Sequence, residues 1–172
     1  GKVRSIGPAE EVVKAYERQV QGLEVGQEVH FENGEMARFS HPEIRSAVPM
    51  PSGGTLSVAV DLDLDTRLCP ILGFGVVRSD GTVCGASNTR VQQVLTPEMS
   101  GHHRIELDLP DLRLVPGGYR LMVEVTDSQM SSSLARCALS FQVVSDVANL
   151  DPQSYGVFTP DHRWKVDGVH VD

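Results

Sequence analysis

Thr55-Leu56-Ser57-Val58-Ala59-Val60-Asp61-Leu62-Asp63-Leu64 alternates with period two, so Leu56, Val58, Val60, Leu62 and Leu64 share one face of an extended strand. Asp61 and Asp63 take the opposite, solvated face. A helix would scatter those five aliphatic side chains around its axis, so the run specifies a half-buried strand. The same pattern returns along the chain. His103, Ile105, Leu107 and Leu109 share a parity; Tyr119 to Val125 follows Pro116-Gly117-Gly118, and Leu134 to Val144 is a further long strand. Ile71–Arg78 and Thr82–Cys84 flank Ser79-Asp80-Gly81, a hairpin turn with glycine where a positive φ is needed. His30–Glu32 and Met36–Phe39 flank Asn33-Gly34 in the same way, and Pro49 to Gly54 reads as a loop. The tail alternates Trp164, Val166, Val169 and Val171, with Gly168 as a candidate bulge in one long strand.

Eight or nine strands at turn-punctuated intervals specify an all-β chain, an antiparallel sandwich or barrel. Composition agrees. Apolar residues make up 40% of the 172 but aromatics only 5%, so the core is built from Val, Leu and Ile. One segment differs. Pro8 sits where a first helical turn tolerates it, Glu10 and Glu11 complement the helix dipole, and Val12, Val13, Tyr16 and Val20 share a helical face before Gly22. Residues 1–27 are therefore expected to be a short helix and linker, and residues 28–172 the β-sandwich.

The formal charge of −8, without clustered Lys or Arg, leaves no footprint for nucleic acid or an anionic membrane surface. Cys69, Cys84 and Cys137 are few, odd in number and widely spaced, which suits small buried hydrophobes in a reducing compartment rather than a disulfide framework. The sequence shows neither a signal peptide nor an apolar run near the roughly 18 residues that span a bilayer. The domain is expected to be soluble and part of a longer protein.

Catalytic and metal spacings are missing. Asp61, Asp63 and Asp65 suggest calcium, but an EF-hand loop needs Gly and Glu where Thr66 and Leu72 stand. Adjacent His102 and His103 point to opposite faces of a strand, and no histidine pair has metal-ligand spacing. There is no GxSxG elbow, Gly1-Lys2 lacks the surroundings of a phosphate loop, and Ser131-Ser132-Ser133 reads as a turn. Asp108 and Asp111 are a conceivable glycosidase pair, though acidic pairs are common in so acidic a chain. Recognition is what remains. Trp164, the one tryptophan, is either a core anchor or a sugar-stacking face.

Four segments, in order, carry a likeness. Gly7 to Tyr16 resembles the helix that closes an ABC-type nucleotide-binding domain. Gly73 to Thr89, ending Gly85-Ala86-Ser87-Asn88-Thr89, resembles the strand–turn–strand of Wzt C-terminal domains, whose closing pattern is Gly-x-x-Asn-Thr. Pro116-Gly117-Gly118-Tyr119 is similar to their Pro-Gly-x-Tyr entry into a late strand, and Gly156-Val157-Phe158 with His162-Arg163-Trp164 to their closing motif. Thr159-Pro160-Asp161 departs from that motif, where a more apolar lead-in is expected.

The resemblance to the carbohydrate-binding C-terminal domain of Wzt-type O-antigen ATP-binding subunits implies an immunoglobulin-like sandwich without catalytic residues, cofactor or metal. It implies binding of lipid-linked O-polysaccharide on the cytoplasmic side of the inner membrane, where the domain is peripheral through the transporter. It further implies coupling of recognition to export, and partnership with a nucleotide-binding domain and a membrane-spanning subunit. A homodimer exchanging the strand of Trp164, Val166, Val169 and Val171 is implied as well. Members recognise different glycans, so the shared motifs are scaffold and no binding residue transfers by motif. Sugar contacts are expected from exposed polar residues on a sheet face or rim: Arg78, Asn88, Arg90, Glu124, Arg136 and Gln142. The competing readings are a ligand-free immunoglobulin-like dimerisation module and a glycan-modifying enzyme.

Overall fold

The computed structural model describes residues 28–145, Gly156, Phe158, and the backbone of Trp164–Val166 and Val169–Val171. The expected helix and linker of residues 1–27 lie outside the described residues. The described residues form eleven strands: β1 (Val29–Asn33), β2 (Ala37–Ile44), β3 (Met50–Pro51), β4 (Gly54–Leu68), β5 (Ile71–Arg78), β6 (Val83–Asn88), β7 (Met99–Leu112), β8 (Gly117–Thr126), β9 (Ser133–Val144), β10 (Trp164–Val166) and β11 (Val169–Val171). The larger sheet runs β1-β9-β8-β5-β6, with β3 added in parallel to β9; the smaller runs β2-β4-β7. Every other pairing is antiparallel. The expected all-β, immunoglobulin-like sandwich is the observed architecture.

The opening stretch does what its pattern dictates. Leu56, Val58, Val60, Leu62 and Leu64 of β4 are all buried, in one core cluster with Leu121, Val123 and Val125 of β8 and Cys137, Leu139, Phe141 and Val143 of β9. Among the described residues no polar or charged residue is buried, so each sheet has one dry face and one wet face. Tyr119 is buried in that core. Its hydroxyl donates to the Val115 carbonyl at 2.6 Å and its ring stacks on Phe141 with centroids 5.6 Å apart. This is the tyrosine corner of immunoglobulin-like sandwiches, and it gives the Pro-Gly-x-Tyr segment its physical role. Burial pushes the Tyr119 phenol up to about 12, so it stays a donor.

Three local expectations are corrected. Asn33-Gly34 does not close a hairpin: β1 pairs with β9 and β2 with β4, so the dipeptide turns the chain from one sheet to the other. The Asn33 side chain brackets Phe39, accepting its N–H at 2.8 Å and donating to its carbonyl at 3.1 Å. Gly34 is needed for space, because a Cβ there would stand 2.4 Å from the Leu134 carbonyl oxygen. Pro49 to Gly54 is not wholly loop, since Met50 and Pro51 pair with Val143 and Val144. The tail is not one long strand: β10 and β11 pair with each other, Trp164 opposite Val171 and Val166 opposite Val169. The bulge expected at Gly168 lies outside the described residues.

Candidate functional site

The two wet faces differ in kind. On the smaller sheet the charges are consumed in pairs. Arg104 reaches Asp61 at 2.7 Å and Glu43 at 3.0 Å, Arg38 holds Asp65 with two bonds of 2.6 and 2.9 Å, and His102 meets Asp63 at 3.0 Å. The Arg104 guanidinium holds the Asp61 carboxyl below its usual range. The aspartates that suggested calcium are thus arginine and histidine partners on an exposed face. Among the described residues no three His, Cys, Asp or Glu side chains gather as a metal site.

The outer face of the larger sheet is hollowed. Strand register lines up cross-strand rows of outward residues: Asn88 (β6), Gly73 (β5), Glu124 (β8), Arg136 (β9) and Glu32 (β1) form one. Ala86, Gly75, Met122, Ala138 and His30 form the next. Gly73 and Gly75 leave the centre of these rows without side chains, and a trough of about 380 Å³ lies there. Ordinary backbone dihedrals serve at both glycines; what they supply is room. At the floor, Arg136 bridges Glu124 at 2.8 Å and Glu32 at 3.2 Å. The rim carries Val83, Val91 and Met130. Thr126 also lines the trough, and its buried Oγ1 has no hydrogen-bond partner.

Of the six residues expected to contact sugar, the structure brings Asn88, Glu124 and Arg136 together in this trough. Gln142 shares their face but stands opposite Gly118, six residues along β9 from Arg136, or about 20 Å away. Arg78 is not on this face. It shares the inward parity of Val76 at the end of β5, and its guanidinium holds Asp80 and the Gly156 carbonyl. Arg90 is exposed in the β6–β7 loop, outside the trough lining. Asn88 is half committed, since its Oδ1 accepts the Val91 N–H at 2.8 Å, while Thr89 Oγ1 accepts the Leu72 N–H at 3.2 Å. The Asn-Thr pair therefore pins the loop that carries Val91 to the rim, a scaffold role that nonetheless shapes the site. The side chains of Trp164, Val166, Val169 and Val171 lie outside the described residues.

Gly73, Gly75, Met122, Met130 and Glu32 were not anticipated. The available signal was Gly73-Phe74-Gly75: glycine twice on one parity inside a strand marks a place where something approaches the backbone.

Fold and face together define a class, an immunoglobulin-like β-sandwich with a ligand-sized trough on the outer face of its larger sheet. Among solved structures, the C-terminal domain of Wzt has this fold, with a TM-score of 0.69 and 15% identity over 86% of this chain and 95% of that one. The resemblance to Wzt C-terminal domains is thereby met at the level of fold, and the Gly7 to Tyr16 segment lies outside the described residues. A Niemann-Pick type C2 protein from the Japanese carpenter ant matches with a TM-score of 0.49 at 12% identity, over 67% of this chain and 99% of that one. A glycoside hydrolase family 2 β-glucuronidase reaches 0.39 at 14% identity, over 69% of this chain and 11% of that one. Neither of these two is similar enough to carry an argument. No family model matches the sequence, and no curated protein matches it significantly. No helix among the described residues is long and apolar enough to cross a membrane.

Proposed function

We propose that this chain is the carbohydrate-binding domain of an ABC-transporter ATP-binding subunit, with residues 1–27 ending a preceding nucleotide-binding domain and residues 28–172 forming the recognition module. In this reading it binds lipid-linked O-polysaccharide at the cytoplasmic face of the inner membrane and couples recognition to export by a membrane-spanning partner. The observation that carries the reading is the trough: a glycine-floored hollow with Glu124, Arg136 and Asn88 converging on it, where a sugar ring can lie against backbone while hydroxyls meet carboxylate and guanidinium. The fold shared with the C-terminal domain of Wzt supports the transporter context.

The domain works as a homodimer whose C-terminal strands, with Trp164, Val166, Val169 and Val171, are exchanged. Support comes from β7, the edge of the smaller sheet, and from the antiparallel bridge between Leu114, just beyond β7, and Phe158. Phe158 thus lies just past the end of that open edge, and an unpaired edge is a template for another strand. Titration of the chain with the O-polysaccharide of its own source tests the binding reading. Saturable, largely salt-insensitive binding is expected, weak per site and strengthened by two sites per dimer; absence of binding overturns it. A chain ending at Arg163 is expected to be monomeric by light scattering, and one that stays dimeric overturns the exchange.

A further inference from the structure

Which sugars suit the trough follows from its charges and its walls, given the glycan-binding reading above. Arg136 is the one cation among the trough's lining residues, and it is already shared between Glu124 at 2.8 Å and Glu32 at 3.2 Å. An incoming carboxylate or phosphate would have to displace one of those carboxylates while facing the other. Neutral hydroxyls meet no such conflict, because they donate to the glutamates and accept from the guanidinium.

The rim is aliphatic, and Phe74 is the aromatic residue among the lining. Val83 is 65% exposed, Val91 71% and Met130 47%, and all three stand at the rim. No Trp or Tyr lines the trough. Two loops hold this rim in place by unusual means. Met130 has a φ of 57°, a left-handed value costly for a residue with a side chain. The Asp127 carboxylate enforces that turn, accepting the N–H groups of Gln129 at 3.0 Å and Ser131 at 2.9 Å as well as the Ser131 hydroxyl. Val91 is set by the Asn88 bond, in a loop where Gln93 also has a positive φ, of 59°. The strain thus falls on the rim residue itself at Met130, and two residues beyond Val91 in the other loop.

We propose that the trough selects an uncharged 6-deoxyhexose, its C6 methyl against Val91 and Met130 and its ring hydroxyls on Glu124 and Arg136, while Val83, beside Val77, stands at the other end of the trough. A hydroxymethyl group at the same position would turn a hydroxyl toward side chains that offer no hydrogen bond. In an open site this discriminates by about tenfold in Kd.

The experiment is an amide chemical-shift titration of the chain with matched sugars differing only at C6, L-rhamnose with L-mannose and D-fucose with D-galactose. D-galacturonate and 6-O-methyl-D-galactose are added to the set. At least one 6-deoxy sugar is expected to shift the Gly73, Gly75, Glu124 and Met130 amides with a Kd about tenfold below that of its twin. Galacturonate is expected to leave them unmoved. Met130→Gln, at an exposed site that tolerates polarity, is expected to bring the ratio towards one, while Glu124→Gln weakens both twins alike. A hexose binding as tightly as its 6-deoxy twin, or galacturonate entering the trough, overturns the selection and leaves glycan binding standing. Preference for 6-O-methyl-D-galactose over D-fucose assigns the rim to an ether methyl and overturns the 6-deoxy assignment. If no sugar shifts any trough amide, both the selection and the proposed function fail.

Discussion

Gly75 lies mid-strand in β5, paired to both β6 and β8, at a position where glycine weakens a sheet and where its backbone dihedrals do not require it. A Cβ there would meet only the Ala86 Cβ at 3.8 Å and the Gly85 carbonyl oxygen at 4.0 Å, ordinary contacts. Gly75→Val therefore restores strand propensity and reduces the freedom of the unfolded chain, together worth about 0.5–1.5 kcal/mol. For a chain of this size that raises Tm by roughly 1–6 °C. The same two methyl groups fill the floor of the trough between Met122 and Ala86, where a sugar ring is proposed to rest. Losing that approach is expected to weaken glycan binding at least about tenfold, equivalent to about 1.4 kcal/mol. Calorimetric melting and glycan titration, run on Gly75→Ala and Gly75→Val in parallel, read both quantities. A higher Tm with unchanged affinity refutes the trough as the site. A Tm lowered by several degrees refutes the claim that the space above Gly75 is free.

Tyr119→Phe leaves the buried Val115 carbonyl without its partner and is expected to cost about 1–3 kcal/mol, read as a lower denaturation midpoint with an unchanged m-value. Asp61 and Asp80 are held below their ordinary range by Arg104 and Arg78 respectively, so their contribution is complete above the ordinary value of 3.8 and is lost as pH falls through and below it. The Asp61→Asn, Asp80→Asn double variant should therefore lose less stability between pH 7 and pH 3 than the parent chain, and an equal loss in urea titrations refutes the assignment. Exposed Cys69 should react with a disulfide reagent in the native state. Burial pushes the Cys137 thiol up to about 11 and raises that of Cys84, so both should react slowly until denaturant is added.

The fold was legible because its signal is local and redundant. Five aliphatic residues on one parity of β4 can be buried in only one way, and β8 and β9 repeat the pattern. Where the reading failed, the deciding partner was distant in sequence. Asn33-Gly34 has the chemistry of a hairpin, yet the Leu134 carbonyl a hundred residues on accepts the Gly34 N–H and occupies the space of a Cβ. The tail repeated the error with the opposite sign: alternation was read through Asp167-Gly168, a dipeptide that locally favours a turn.

The site was half legible for a related reason. Polar residues on strands were picked by type, which found Glu124 and Arg136 but set Arg78 and Gln142 beside them, because alternation fixes a residue's face and not its row or its neighbour. What makes a hollow is an absence of side chains at Gly73 and Gly75, in a row with Ala86 of β6 and Ala138 of β9, and that coincidence exists only after the strands are registered. The motif carrying the family likeness belongs to both accounts. Gly73 to Thr89 was read as scaffold, and Asn88 and Thr89 do pin a loop. Its first glycines also open the trough, and its last residues set the position of Val91 on the rim. On the proposed function, discrimination among sugars falls to Val91 and Met130 rather than to the charged floor, and exchange of those two side chains is the change expected to alter which glycan is taken.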